Sequence, residues 1–177
     1  MPRQFPSLTI DVSLPFKELM HEKKFHQAVA HVLPSYLPHQ RWFTSKGKSM
    51  VSCTIRQSYN INDYTGILLC AIDFVDGTRE HYQLPIAWNT EPEWLDFFLQ
   101  FNDRYIIAQV GEPAEIILSD AVPRANFRKE LYLSIKEGRT PENGLTADRG
   151  KVLTNEGKEV ASHLPNIDSS NTAIIYN

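Results

Sequence analysis

Three β-type runs in the middle of the chain constrain its fold more than any other feature. Residues 51–59 alternate between apolar and polar side chains, which is the pattern of a strand with one solvent-exposed face. Residues 64–75 are more continuously apolar, and residues 79–86 form a third run. Asp76 and Gly77 separate the second and third runs, and an Asp-Gly pair is a strong hairpin signal. The sequence therefore predicts an antiparallel meander.

Helical patterns precede this meander. Apolar residues at positions 25–33 recur with the spacing i, i+3, i+4, i+7 and i+8, which predicts an amphipathic helix. A shorter apolar face spans residues 16–20, so the segment holds either two helices or one bent helix. We expect Ser13 to cap the first helix. We expect Pro34 to end the second, because the residue before a proline disfavours helical geometry.

The second half of the chain mixes strands and helices. Residues 90–93 fit a capping box, and an aromatic helical run follows at residues 94–101. For these aromatic side chains, packing on a sheet is favoured over binding a sugar. A helix that starts at Ser119 or Asp120 is expected to end at Gly138. Further strands are predicted at residues 105–110 and 114–118. The order of elements predicts an α+β fold, an antiparallel sheet with packed helices.

Composition shifts divide the chain into three parts. Residues 1–11 are punctuated by proline and are predicted to be a tail or an inter-domain linker. Residues 12–138 form the α+β domain, and residues 139–177 hold a polar loop followed by short strands. The apolar run at residues 173–176 stands at the end of the sequence, so we expect the native chain to continue beyond it.

The bulk composition excludes several classes of partner. The 177 residues are 42% hydrophobic and 22% charged, as in globular proteins, and the net charge of −3 argues against a nucleic-acid partner. There is no 18-residue apolar run and no signal-peptide pattern, so no membrane partner is predicted. Cys53 and Cys70 lie in strand-like runs and are expected to be reduced thiols of a cytoplasmic protein. A disulfide between neighbouring strands is the alternative.

Motifs tested for chemistry give no recognisable catalytic site. Residues 46–49 end like a phosphate-binding loop, but that loop needs a glycine where Trp42 stands. His21 and His26 are five residues apart, which on one helix separates them by roughly 140° and prevents them from sharing a metal ion. They are interpreted as solvated histidines, and Asp73 is interpreted as an exposed strand residue.

The run at residues 33–49 is the least generic part of the sequence. Two large aromatic side chains, Trp42 and Phe43, either pack under another element or contact a ligand. We expect them to fill the junction between helix and strand, so that Trp42→Ala costs about 3–5 kcal/mol of stability. In the alternative, Arg41, Trp42 and Lys46 bind an anionic or sugar ligand.

The same run resembles the start of bacterial maltokinases, which carry the pattern Leu-Pro-x-x-Leu-x-x-Gln-Arg-Trp-Phe-x-x-Lys. The residues that mark the resemblance are Gln40, Arg41, Trp42, Phe43 and Lys46. Three further motifs agree in order: Asp76-Gly77 followed by residues 82–86, the Ser-Asp-Ala of residues 119–121, and residues 169–176, with Ser169 where glutamine is usual.

The resemblance implies an N-terminal cap of cystatin-like topology in front of a kinase that phosphorylates maltose to maltose 1-phosphate. Residues 139–177 then lead into the truncated N-lobe of that kinase. Ser170, Asn171 and Thr172 would begin the nucleotide-binding lobe. The chain itself is expected to hold no catalytic residue, metal or cofactor, whereas ATP and Mg²⁺ belong to the full-length enzyme.

Two functional hypotheses follow. In the first, the chain is a non-catalytic cap whose partner is the remainder of the kinase in cis. The resemblance adds trehalose synthase as a fusion partner in part of the family, with roles in trehalose and glycogen metabolism. In the second, the chain is a free-standing α+β module that binds a ligand or a protein.

Overall fold

The structure, a computed structural model, describes residues 5–91, 94, 98, 103–111, 115–138, 161–165 and 172–176. The helices with described bounds are α1 (Phe16–Leu19), α2 (Lys23–Tyr36) and α3 (Ala125–Glu137), with 3₁₀ turns at Leu37–His39 and Asp103–Tyr105. The strands are β1 (Ser7–Leu8), β2 (Met50–Asn60), β3 (Thr65–Phe74), β4 (Arg79–Asn89), β5 (Ile106–Val110), β6 (Ile116–Asp120), β7 (Ser162–His163) and β8 (Ile175–Tyr176).

Strands β1 to β6 form one sheet in the order β1-β5-β6-β4-β3-β2. The β2–β3–β4 meander is antiparallel as predicted, and Gly77 makes the β3–β4 turn with a φ of 82°. Strand β6 pairs antiparallel with both β4 and β5, whereas β1 pairs parallel with β5. The short strands β7 and β8 form a separate antiparallel pair. These elements confirm the α+β class, and the cystatin-like topology stays a prediction.

The sheet is covered on both faces. Leu68, Leu84 and Ile86 belong to the large apolar cluster that also contains the buried residues of α1 and α2. Ile67 and Ala87 belong to a smaller cluster with Phe127 of α3. Because consecutive strand residues point to opposite faces, α1 and α2 pack on one face of the meander and α3 packs on the other.

A register shift in β2 changes the face that the sequence predicts. Residues 51–59 were expected to alternate without interruption, but the pairing with β3 slips between Ile55 and Gln57. Beyond this bulge Ser58 faces the α1–α2 side and is buried, although the uninterrupted pattern placed it on the exposed face. One inserted residue moves every later side chain to the other face, and Ser58 there contacts His21 and His26.

The helix boundaries differ from the expected ones in two places. Pro34 lies inside α2, which continues to Tyr36 before the 3₁₀ turn. In the last turn proline forfeits one backbone hydrogen bond, and the burial of Leu33 and Tyr36 offsets that loss. Ser13 does not cap α1, because the residue before that helix is Pro15; the Ser13 N–H donates to Asp11 Oδ1 at 2.9 Å.

The predicted helix start at Ser119 or Asp120 is wrong, because both residues end β6 and α3 begins at Ala125. Their pairing with β4 is a long-range contact that local periodicity does not reveal. Gly138 ends α3 in the left-handed region, as expected, with a φ of 60°.

The remaining sequence predictions have mixed outcomes. Strand β1 lies within residues 1–11, and its Leu8 is buried in the core, so this part of the predicted tail contributes to the sheet. The domain boundaries stay predictions. Trp94 and Phe98 are helical, but most of the capping box and of the aromatic run lies outside the described residues.

Cys53 and Cys70 are both free thiols, as expected, and do not form the alternative disulfide. Within the described parts of the chain, no helix has the length and hydropathy needed to cross a bilayer.

Candidate functional site

The marker run at residues 40–48 is divided between side chains that anchor it to the sheet and side chains that face outward. Phe43 is 1% exposed and belongs to the large apolar cluster, with its ring 5.2 Å from the ring of Tyr82 on β4. Gln40 is buried and donates from Nε2 to the Arg104 carbonyl at 2.9 Å. The structural interpretation of this run therefore holds for Phe43 and Gln40.

Glu80 on β4 is the polar anchor of the run. Ser45 Oγ donates to Glu80 Oε1 at 2.7 Å, the Tyr82 hydroxyl donates to Oε2, and Lys48 Nζ lies 3.7 Å from Oε1. Hydrogen bonds from Tyr82 and Ser45 hold the pKa of the Glu80 carboxyl below its usual range. Lys48 also lies 3.1 Å from Asp76 in the β3–β4 turn, so this lysine ties the run to the hairpin.

Arg41 and Lys46 form the outward part of the run, whereas Trp42 packs against the large apolar cluster, as expected, without being completely buried. Arg41 and Lys46 are exposed, and Trp42 is half-buried with its ring 5.9 Å from Tyr82. Phe43 is the aromatic residue of this run that is completely buried. We therefore expect the loss of about 3–5 kcal/mol for Phe43→Ala instead of for Trp42→Ala.

A cleft of about 530 Å³ opens beside Trp42, on the face of the sheet that α3 covers. Apolar side chains line much of it, and its polar lining residues come from the marker run, β4, the end of β6 and the segment before β8. An apolar pocket with a few polar groups is the usual form of a small-molecule site. Its lining includes Trp42, Gln83, Asp120, Phe127 and Thr172.

Asp120 is the acidic residue among the described lining residues of this cleft, and its pKa departs strongly from the ordinary value. It is 3% exposed, and its Oδ1 accepts a hydrogen bond of 2.8 Å from the Val122 N–H. Burial raises the pKa of the Asp120 carboxyl to about 7, although the Val122 N–H and the Tyr36 hydroxyl favour the ionised form. The Ser-Asp-Ala motif at residues 119–121 marks this position in the sequence but does not reveal a buried carboxyl, because only tertiary packing buries the end of β6.

Replacing Asp120 by asparagine is expected to change how stability depends on pH. The folded pKa of about 7 exceeds the ordinary value of 3.8, so between these pH values the folded state keeps a proton that the unfolded chain releases. Asp120 therefore lowers the free energy of unfolding as the pH rises from about 4 to about 7. In Asp120→Asn the free energy of unfolding should not show this decrease, and the variant should be more stable than the wild type at pH 8. Urea unfolding at several pH values measures both effects. Exposed Asp103→Asn is the control, and parallel curves for wild type and Asp120→Asn would contradict the assignment.

The sequence suggested that His21 and His26 are solvated, but the structure gives both of them protein contacts. His26 is half-buried, with Nε2 2.6 Å from the Met20 carbonyl, and both histidines contact Ser58 Oγ, at 3.0 Å and 3.3 Å. His21 precedes α2, so the one-helix geometry assumed for the pair does not apply. Among the described residues, no group of three His, Cys, Asp or Glu side chains is placed to hold a metal ion.

The sequence of this α+β unit places it in a family. Residues 36–122 match the family described as the maltokinase N-terminal cap domain. Residues 36–122 are therefore identified as a maltokinase N-terminal cap domain. The match begins at the end of α2 and includes the whole marker run, the meander and β5–β6. It ends before α3, so the cap domain's contacts with α3 and with β7–β8 lie outside the matched segment.

Arg128 joins the cap domain to the β7–β8 pair. Its guanidinium donates to the carbonyls of Val122 and Pro123 at 2.9 and 2.7 Å, and to Ser162 Oγ and O at 2.9 and 3.2 Å. The Tyr176 hydroxyl donates to the Arg128 carbonyl at 2.9 Å. The guanidinium is planar and its N–H donors point in fixed directions, so four acceptors around it restrict the position of Ser162 relative to α3. Sequence reasoning did not single out Arg128, which looks like an ordinary charge on a helix.

The predicted nucleotide-binding residues are only partly described. Ser170 and Asn171 lie outside the described residues, and Thr172 is exposed at the rim of the Trp42 cleft. Their role therefore stays a prediction. The cleft does bring Thr172 to the same cavity as Trp42 of the cap domain, although the two are far apart in sequence.

Proposed function

We propose that this chain is the non-catalytic N-terminal cap of a maltokinase. In the complete enzyme a phosphoryl group passes from ATP to maltose, giving maltose 1-phosphate and ADP. The partner of the cap is the rest of the kinase in cis, with trehalose synthase as a fusion partner in part of the family. On this proposal the protein acts in trehalose and glycogen metabolism in the cytoplasm. The family match over residues 36–122 is the observation that carries the proposal.

The contacts of Arg128 support a positioning role for the cap. Strand β8 belongs to the segment that resembles the first strand of a kinase N-lobe, and its Tyr176 contacts Arg128 and Tyr132 of α3. The Tyr132 and Tyr176 ring centroids are 4.9 Å apart. A cap that holds this strand in place would fix the start of the nucleotide-binding lobe relative to the sheet.

ATP and Mg²⁺ belong to the complete enzyme in this proposal. Of the three residues expected near the nucleotide, the described one, Thr172, offers a hydroxyl and is exposed. A hydroxyl alone does not form a magnesium site, for which carboxylates and phosphate oxygens supply the ligands. We therefore assign no step of the reaction to residues of this chain.

The first test is an assay of residues 1–177 with ATP, Mg²⁺ and maltose. We expect no maltose 1-phosphate above a heat-denatured control, measured by phosphorus NMR. Turnover by this chain would contradict the non-catalytic assignment. The native reading frame is the second test: a frame that continues into a lysine-bearing strand and a catalytic loop supports the cap, and a stop codon after Asn177 supports a free-standing module.

The Trp42 cleft favours a second candidate function, a ligand-binding module. An aromatic ring beside the polar side chains of Gln83 and Thr172 suits a sugar, which stacks one face on the ring and hydrogen-bonds at its edges. Titrating maltose into the chain while recording tryptophan fluorescence tests this function. A saturable change that is lost in Trp42→Phe would support it, and an unchanged spectrum at millimolar maltose would contradict it.

A further inference from the structure

A second groove runs along the opposite face of the sheet, between α2 and the edge strand β2. This β2 groove has a volume of about 570 Å³ and is lined by Lys23, His26, Gln27, Ala30, His31, Pro34 and residues 50–55. Strand β2 is last in the strand order, so β3 flanks it on one side and no described strand flanks it on the other. Its outer edge offers backbone N–H and C=O groups of the kind that accept a further strand.

The lining of the β2 groove is basic on its helical rim. Lys23, Gln27 and His31 are exposed and follow one another at i, i+4 and i+8, so they form a single row along α2. No acidic side chain is among the described lining residues, although the whole chain has a net charge of −3. This separation of charge favours an acidic occupant.

The other end of the groove is apolar. Val51 is 66% exposed on the edge strand, and it lines the groove together with Met50 and Pro34. An exposed β-branched residue on an unpaired edge is a liability that proteins usually mask with charge or proline. The β2 groove therefore offers apolar contact at the Pro34 end of α2, and Lys23 and His31 along the helix with no acidic side chain among the described lining residues beside them.

The register of β2 sets the length of an added strand. Pairing with β3 is irregular between Met50 and Ser52 and again between Ile55 and Gln57, and it is regular over residues 52–55. These four residues extend over about 13 Å at roughly 3.3 Å each. A segment of four or five residues can therefore pair regularly, and a long strand cannot.

A second copy of this chain is a poorer occupant. Antiparallel pairing of two β2 edges around a two-fold axis would place both α2 helices on the same face of the joined sheet. The rows of Lys23 and His31 would then face each other across the new ladder, with no acidic residue in the described lining to pair with either lysine.

We propose that the β2 groove binds a short, acidic, extended segment of a partner protein, which adds to the sheet as a strand beside β2. Backbone hydrogen bonds to residues 52–55 supply the pairing. The row at Lys23 and His31 selects acidic side chains, and Val51 and Pro34 receive an apolar one. The selectivity should weaken as ionic strength rises, because the charged rim is exposed.

Selection from a phage-displayed library of random heptapeptides tests this proposal, with residues 1–177 as the immobilised protein. We expect the selected pool to be enriched in Asp and Glu combined with β-branched residues. Binding of one selected peptide, labelled with fluorescein, should weaken at least tenfold in the double variant Lys23→Glu/His31→Glu. Lys129→Glu on α3 is the matched control and should leave the affinity unchanged.

Cys53 supplies an independent readout, because it lines the groove on the regular part of β2. Burial raises the pKa of the Cys53 thiol to about 11, so its labelling by maleimide is slow and depends on access. The bound peptide should slow that labelling at least fivefold, as mass spectrometry measures. A pool without acidic enrichment, or affinity unchanged in the double variant, would overturn the proposal. Protection of Cys53 by dimerisation without peptide, seen in sedimentation, would identify a second copy as the occupant instead.

Discussion

Phe43→Ala is expected to destabilise the fold by about 3–5 kcal/mol, which is the usual cost of deleting a completely buried phenylalanine. Phe43 is 1% exposed and contacts Tyr82 of β4, so its removal leaves a cavity between the marker run and the sheet. The midpoint of urea unfolding should fall at an unchanged m-value. Far-ultraviolet circular dichroism before denaturation shows whether the variant still folds.

Two variants of neighbouring residues make this prediction specific. Trp42→Ala should cost about 1–2 kcal/mol, because a half-buried side chain loses less contact than a buried one. Lys46→Ala, at an exposed position, should stay within about 0.5 kcal/mol of the wild type. If Trp42→Ala proved more damaging than Phe43→Ala, the assignment of Phe43 as the anchor would be wrong.

Arg128→Met is expected to separate the β7–β8 pair from α3 and to cost about 2–4 kcal/mol. Methionine keeps the apolar stem of the side chain and removes the guanidinium, which leaves the carbonyls of Val122 and Pro123 without this donor. Because Ser162 loses two contacts, amide exchange at Ser162 and His163 should accelerate more than exchange within β3. Hydrogen exchange read by mass spectrometry measures both regions in one experiment.

Graded controls distinguish the guanidinium from general damage to α3. Tyr176→Phe removes one hydrogen bond to the Arg128 carbonyl and should cost about 1 kcal/mol. Lys129→Ala, at an exposed position on the same helix, should have no measurable effect. Equal exchange rates at Ser162 in wild type and Arg128→Met would show that Arg128 does not hold the junction.

The meander could be predicted from the sequence because its signals are local. An alternation of period two and an Asp-Gly turn identify two strands and their connection without any distant contact. The same reasoning failed at Ser58, where one bulged residue changes the buried face, and at Pro34, where burial of neighbouring residues keeps a helix intact. In both places the deciding contacts come from elsewhere in the chain.

The candidate site was harder to predict than the fold. The aromatic marker run stood out, since Trp and Phe in a polar turn are unusual, and the structure divides it into anchoring and outward residues. Arg128 carries no such signal, because a single charged residue in an amphipathic pattern looks solvated. The Ser-Asp-Ala motif marks Asp120 but does not show that its carboxyl is buried. The burial of both residues depends on β4, α3 and β7, which only the assembled fold brings together.

The parallel pairing of β1 with β5 has a consequence for anything attached upstream. Ser7 lies opposite Gln109, and the Gln109 N–H donates to the Pro6 carbonyl at 2.9 Å, so the chain enters the sheet at the edge opposite β2. Six strands spaced by about 4.8 Å put these two edges roughly 24 Å apart. A domain tethered before Ser7 would approach from the β1 edge and leave the far margin of the sheet open to a different protein.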